Sequence, residues 1–259
     1  MRLGLGLGLC GKRLKSLGFR PFIIEVKTDN AGTSNNNQFQ FTGAEGNYNV
    51  IAKQGNVIVQ TFNDLEDEET ITLPSAGIYD LEVFPKASNG FDRIRFDNIG
   101  DKLKALDVKQ WGTIAWSSFR DAFFGCENML VTATDIPDLS LVTSMNRMFR
   151  NTSIANPDTS NWDVSSVTDM SFMFLSATSA NPNTSNWDVS NVVSMSRMLE
   201  DSNLSVENLT ACYENWSQLN LQQNVSFSAG STKYNASGQA GRDILVNTYN
   251  WTIEDGGQV

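Results

Sequence analysis

The side chains in this sequence best suited to chemistry are carboxylates. It holds 29 Asp and Glu but no His, which removes Ser-His-Asp and Cys-His catalysis together with the commonest transition-metal ligand. Asp138, Asp163 and Asp188 recur at a 25-residue step, and a dense run, "DLEDEE", occupies 64–69. Aspartates in register along one edge can bind calcium, and two carboxylates at a suitable separation can cleave a glycosidic bond. Turn and capping hydrogen bonds are the simpler use of the ladder. The acidic run lacks the spaced ligands of a dedicated calcium loop and reads as a solvated turn. Cys10, Cys126 and Cys212 are far apart and odd in number, so neither a disulfide framework nor a CxxC metal site can be read from them. No nucleophile-base pair, phosphate loop or HExxH stands out. No catalytic, cofactor-binding or metal residue is assigned, no cofactor is expected, and the protein reads as a non-enzyme.

What must position the aspartate ladder is a repeat. "DLSLVTSMNRMF" (138–149), "DVSSVTDMSFMF" (163–174) and "DVSNVVSMSRML" (188–199) follow one another every 25 residues, the mark of units that stack and share one core. The core positions are Val142, Met145, Met148 and Phe149 in the first copy. Trp162, Val164, Val167, Met170, Met173 and Phe174 supply them in the second, and Trp187, Val189, Val192, Met195, Met198 and Leu199 in the third. Trp162 and Val164, two apart, face one side of an extended segment. Ser165 or Ser166 offers an N-cap, and Val167, Met170, Met173 and Phe174 then fall on one face of a short helix. "ANPDTSN" (155–161) makes the return turn. A degenerate earlier unit, "SFRDAFFGCENM" (118–129), puts Phe123 and Phe124 where Met148 and Phe149 stand. Met and Trp recurring at core spacing suit packing better than a cofactor box.

Upstream the pattern is β. "FIIEVKT" (22–28), "NVIVQTF" (56–62), "ETITL" (69–73) and "YDLEVF" (79–84) are short β-branched and aromatic runs between turn residues, the spacing of a small antiparallel sandwich. At the start, Leu3, Leu5, Leu7 and Leu9 alternate with glycine. That places a leucine row on one face of an extended docking segment, with bare backbone on the other. The opening does not read as a secretory signal, because glycine at every second place weakens its apolar run. Leu9 stands where lipoprotein processing at Cys10 needs a small residue. No apolar run reaches about 18 residues, so no membrane span is expected. The net charge of -10 disfavours nucleic acid as a partner.

The repeats closely resemble the BspA-like leucine-rich repeat family of bacterial surface proteins, whose unit runs "NWDVSNVTDMSxMF". The likeness extends over about 21–257, through "RIRFDNIGDKLKALDVKQWGTIAWSSFRDAFFGCENM" (93–129) and a tail at 203–257 read as helix, strand, helix, strand. "LPSAGIYDLEVF" is similar to a hairpin of polycystic-kidney-disease-type immunoglobulin-like domains, although "AKQGN" (52–56) replaces their "WGDG" turn. "LGLGLGL" resembles the opening of many bacteriophage tail and minor structural proteins.

These resemblances imply a mainly β chain with short helices: an N-terminal immunoglobulin-like sandwich, then a short leucine-rich-repeat-like solenoid of 25-residue units and a C-terminal cap. The organisation is 1–20 docking segment, 21–90 sandwich, 91–202 solenoid and 203–259 final repeat and cap. The function they imply is attachment. In one setting the protein is a virion component, docked to other virion proteins through 1–20, oligomeric or arrayed, and displaying a module for a host-surface protein or glycan. The alternative is a bacterial cell-surface adhesin.

Overall fold

The computed structural model describes residues 18–86 and 91–259. The leucine row Leu3, Leu5, Leu7 and Leu9, and Cys10, lie outside the described residues.

The chain is mainly β with few short helices. Strands β1 (Phe22–Lys27), β2 (Gln38–Gln40), β3 (Asn47–Gln54), β4 (Val57–Glu66), β5 (Thr70–Thr72), β6 (Ile78–Pro85), β7 (Ala105–Gln110) and β8 (Leu130–Val131) come first. Six of them form one sheet in the order β4-β3-β6-β1-β7-β8, and β2 pairs with β5. Antiparallel pairing joins β4, β3, β6, β1 and β7, while β8 runs parallel to β7. Alternation explains which side chains are inside. Phe22, Ile24 and Val26 of β1 and Tyr48, Val50 and Ala52 of β3 are buried, with the residues between them partly exposed.

Hydrogen bonding therefore runs across position 90, because β7 pairs with β1. A buried charged pair strengthens that join. The Asp101 carboxylate accepts from the backbone N–H groups of Thr33, Ser34 and Gln40 and from the Ser34 hydroxyl. Lys104 Nζ donates to the carbonyls of Ser34, Asn35 and Gln38. Both side chains are almost wholly buried, and such a pair is tolerable only with its polar atoms satisfied in this way.

From residue 115 onward the backbone winds through turns joined by single parallel bridges, Ala115 to Asp138, Ser144 to Asp169 and Asp169 to Ser194. The helix expected over the Val167–Phe174 segment is not formed. Instead alternate N–H groups donate to the next unit: Met145 to Asp169, Arg147 to Ser171, Phe149 to Met173, then Met170 to Ser194, Phe172 to Ser196 and Phe174 to Met198. The N–H groups between them close tight turns, Met148 to Met145 and Met173 to Met170. An α-helix would spend all of these donors inside its own unit. The left-handed residues Arg147, Phe172 and Arg197, with φ of 57°, 61° and 54°, keep the ladder from collapsing into a helix.

The earlier unit is out of the expected register by one residue. Phe119, Asp121, Phe123 and Gly125 donate to Ser144, Asn146, Met148 and Arg150, so Phe123, not Phe124, stands at the place of Phe149. Phe123 accordingly stacks on Phe149, with ring centroids 5.6 Å apart, and Phe149 on Phe174 at 5.4 Å. Phe124 faces the other way.

The tail carries α1 (Val206–Trp216), β9 (Ser226–Ser228), α2 (Gln239–Asn247) and β10 (Thr252–Glu254), with β9 and β10 parallel. Leu209, Tyr213 and Trp216 of α1 close the end of the core. One hydrophobic cluster runs from Phe22 to Trp251.

Replacing Phe149, the middle ring of the stack, by Ala should lower stability by about 3–5 kcal/mol; a chemical denaturation midpoint little different from wild type would refute the stacking account. Cys126 and Cys212 are fully buried, and burial pushes the Cys212 thiol up to about 12. Both should resist thiol reagents at pH 8 in the native protein and react after unfolding, as peptide mapping of the labelled chain will show.

Candidate functional site

Each unit is built the same way around its core. Val142, Met145, Met148, Phe149, Trp162, Val164, Val167, Met170, Met173 and Phe174 are all buried. So are Trp187, Val189, Val192, Met195, Met198 and Leu199. The indoles also tie units together, since Trp187 Nε1 donates to the Thr159 carbonyl and Trp216 Nε1 to that of Thr184. These residues hold the scaffold and present no reactive group to solvent. What is left for recognition is the two edges where the chain turns.

One edge carries the aspartate ladder. Asp138 Oδ1 accepts from the N–H and hydroxyl of Ser140, Asp163 Oδ1 from those of Ser165, and Asp188 Oδ1 from the Ser190 N–H. Asp158 and Asn183 repeat this arrangement with Ser160 and Ser185. The Ser hydroxyl and N–H favour the charged carboxylate and hold Asp158 and Asp163 below their ordinary value. A general acid needs the opposite shift. Among the described residues no three carboxylate or thiolate groups gather closely enough to hold a metal ion. Between the second and third units this edge opens a shallow cleft of about 270 Å³, lined by Asn161, Trp162, Asp163, Asn186 and Asp188.

The other edge is basic and aromatic. Asp121, wholly buried, has Arg147 Nε at 2.9 Å, Arg95 Nε at 3.4 Å and Arg120 Nε at 3.5 Å. No N–H is aimed at its oxygens well enough for a hydrogen bond, so the charge is balanced by proximity to three guanidinium groups. Farther along, the Arg150 guanidinium lies over the Phe124 ring at 4.9 Å and the Phe172 ring at 5.8 Å, and Arg197 lies over Phe172 at 6.0 Å. Arg197 also forms a two-pronged pair with Glu200. Sequence reasoning had no place for this edge. Its signal was the Arg, Phe, Arg series at Arg147, Phe172 and Arg197, one position in three successive units.

The architecture is a hydrogen-bonded stack of closely similar units joined to a β-sheet, with its polar and charged side chains at the turns. A family model described as "Mycoplasma protein of unknown function, DUF285" matches residues 97–239, more than half of the chain. The chain belongs to that family. No curated protein and no solved structure matches it.

Asn183 accepts the same bonds at its turn as Asp158 does one unit earlier, so the fold itself supplies a neutral replacement. Above the unfolded carboxylate pKa, near 3.9, the depressed Asp158 contributes its full stabilisation, and this is lost as pH falls through the folded value. Asp158→Asn should leave the melting temperature at pH 7 within a few degrees of wild type and flatten its decline below about pH 4. An unchanged acid limb in a calorimetric pH series would remove Asp158 from the account.

Proposed function

We propose that this protein is a non-enzymatic attachment module. Its repeats form a short leucine-rich-repeat-like solenoid of the BspA-like kind, its sheet with the β2–β5 pair forms an immunoglobulin-like sandwich, and 203–259 caps the stack. The carrying observation is the alternating ladder from Phe119 to Ser196. It spends the backbone and the large apolar side chains on a rigid stack and leaves two edges of Asn, Asp, Arg and Phe free to vary. Such a surface suits recognition of a surface protein or glycan. Catalysis finds no support in the aspartate edge, whose carboxylates serve the turns and, at Asp158 and Asp163, are shifted away from acid work.

Membership of a family resembling bacterial surface proteins favours the cell-surface setting. The virion setting rests on Leu3, Leu5, Leu7 and Leu9. Among the described residues no helix is long and apolar enough to cross a membrane.

The labelled full-length chain should bind host cells saturably and release no sugar or peptide from them. Absence of saturable binding, or steady release of product, would overturn the reading. Antibody detection of the chain on producer-cell envelopes fixes the surface setting, while detection on phage particles moves the same module to a virion.

A further inference from the structure

Between residues 111 and 232 the sequence has four cationic side chains, Arg120, Arg147, Arg150 and Arg197, and the fold brings all four to the basic edge. In a chain of net charge -10 that segregation is the first observation.

The second concerns pairing. Arg120 and Arg147 have Asp121, Arg95 has Asp97 and Asp121, and Arg197 has Glu200. Arg150 has no carboxylate partner among the described residues. Its buried Nε has no acceptor, and its terminal nitrogens donate to no described residue. Its plane is nonetheless held between the rings of Phe124 and Phe172. A guanidinium fixed by aromatic faces has already lost the rotamer freedom that binding would cost it, and its open edge matches a planar oxyanion in two-pronged fashion.

The surroundings narrow the ligand. Within 138–199 the exposed large apolar side chains are Leu141, Ile154 and Val193, none of them a member of the Phe124, Arg150, Phe172, Arg197 stack. Ser196, the partly exposed chain neighbour of Arg197, supplies a hydroxyl that can bond a sugar.

We infer that Arg150, clamped between Phe124 and Phe172 and flanked by Arg147 and Arg197, is the anchor of a subsite for an acidic glycan, seating one sugar carboxylate on its guanidinium edge. This rests on the attachment role proposed above and assigns it a ligand class. Successive units lie about 4.8 Å apart along the ladder, so an extended glycan anchored at Arg150 can run along the stack past Phe172.

The test is binding of the full chain to immobilised polygalacturonate, to its carboxyl-reduced form and to poly-L-glutamate, with variants checked for an unchanged melting curve. Wild type should bind polygalacturonate and not the reduced polymer. Arg150→Gln should weaken binding at least tenfold and Arg150→Lys, which keeps the charge without the fork, by less. Lys233→Gln, an exposed cation elsewhere, should change nothing. No binding of polygalacturonate, equal binding of the reduced polymer, or an Arg150→Gln variant equal to wild type overturns the inference. So does equal affinity for poly-L-glutamate, which would assign the edge to acidic proteins. If Arg150→Gln attaches to host cells as wild type does, the glycan subsite fails while the attachment role stands; if wild type does not attach at all, the attachment role fails by itself.

Discussion

The repeat units from Phe119 to Leu199 depend on how the backbone divides its N–H groups, one to the neighbouring unit and the next to a turn within its own. A buried amide without an acceptor costs about 1–3 kcal/mol, so a tightly wound segment must satisfy both kinds of donor at once. The alternation does so, with Met145, Met148 and Phe149 inward and Arg147 and Arg150 at the edge. It uses two left-handed residues in each unit, at about 1–2 kcal/mol apiece for a side chain other than glycine. Arg147 and Asn151, Phe172 and Ser176, and Arg197 and Asp201 occupy those places. The bonds on either side, and the stacking of Arg on Phe across units, offset that cost.

Much of this was legible in the sequence because repetition is legible. A core position that returns every 25 residues identifies itself without knowledge of its backbone, and each such residue is buried whether the segment is helix or turn. The local conformation was not legible for the same reason. Spacings of three and four suit a helix, and they equally suit consecutive tight turns whose free donors are taken by the next unit. Only the neighbour decides between them, and a window of one unit does not contain its neighbour. The slip at Phe123 and Phe124 has a related origin, since the 118–129 segment retains too few of the repeat's letters to fix its register by likeness.

The β portion shows the opposite balance. Runs such as Phe22–Lys27 and Ile78–Pro85 declare themselves by alternation, whereas β7 and β8 lie in a stretch with weak β character and are made strands by their pairing, β7 with β1 and β8 with β7. The Asp101–Lys104 pair was invisible for a different reason: its partners at Thr33, Ser34, Asn35, Gln38 and Gln40 are distant in sequence and ordinary in composition. Chemistry concentrated at the edges was the hardest to foresee. The Arg150 side chain takes its meaning from two phenylalanines in the units on either side of it, one of which had been placed in the core.

The stack of Phe123, Phe149 and Phe174 ends at Leu199, and the next layer is supplied by β9 through bonds from Met195 and Leu199 to Ser226 and Ser228. Each unit thus offers its successor the same socket that it fills in its predecessor. Adding or deleting one whole 25-residue unit would return the chain to register, lengthening or shortening the displayed edge while the segment from α1 onward follows as before. A change of one residue would put its buried positions out of register with those of the neighbouring units. Length variation in this architecture is therefore quantised, and a lineage can alter its reach and the number of its edge arginines without ever passing through an unfolded intermediate form.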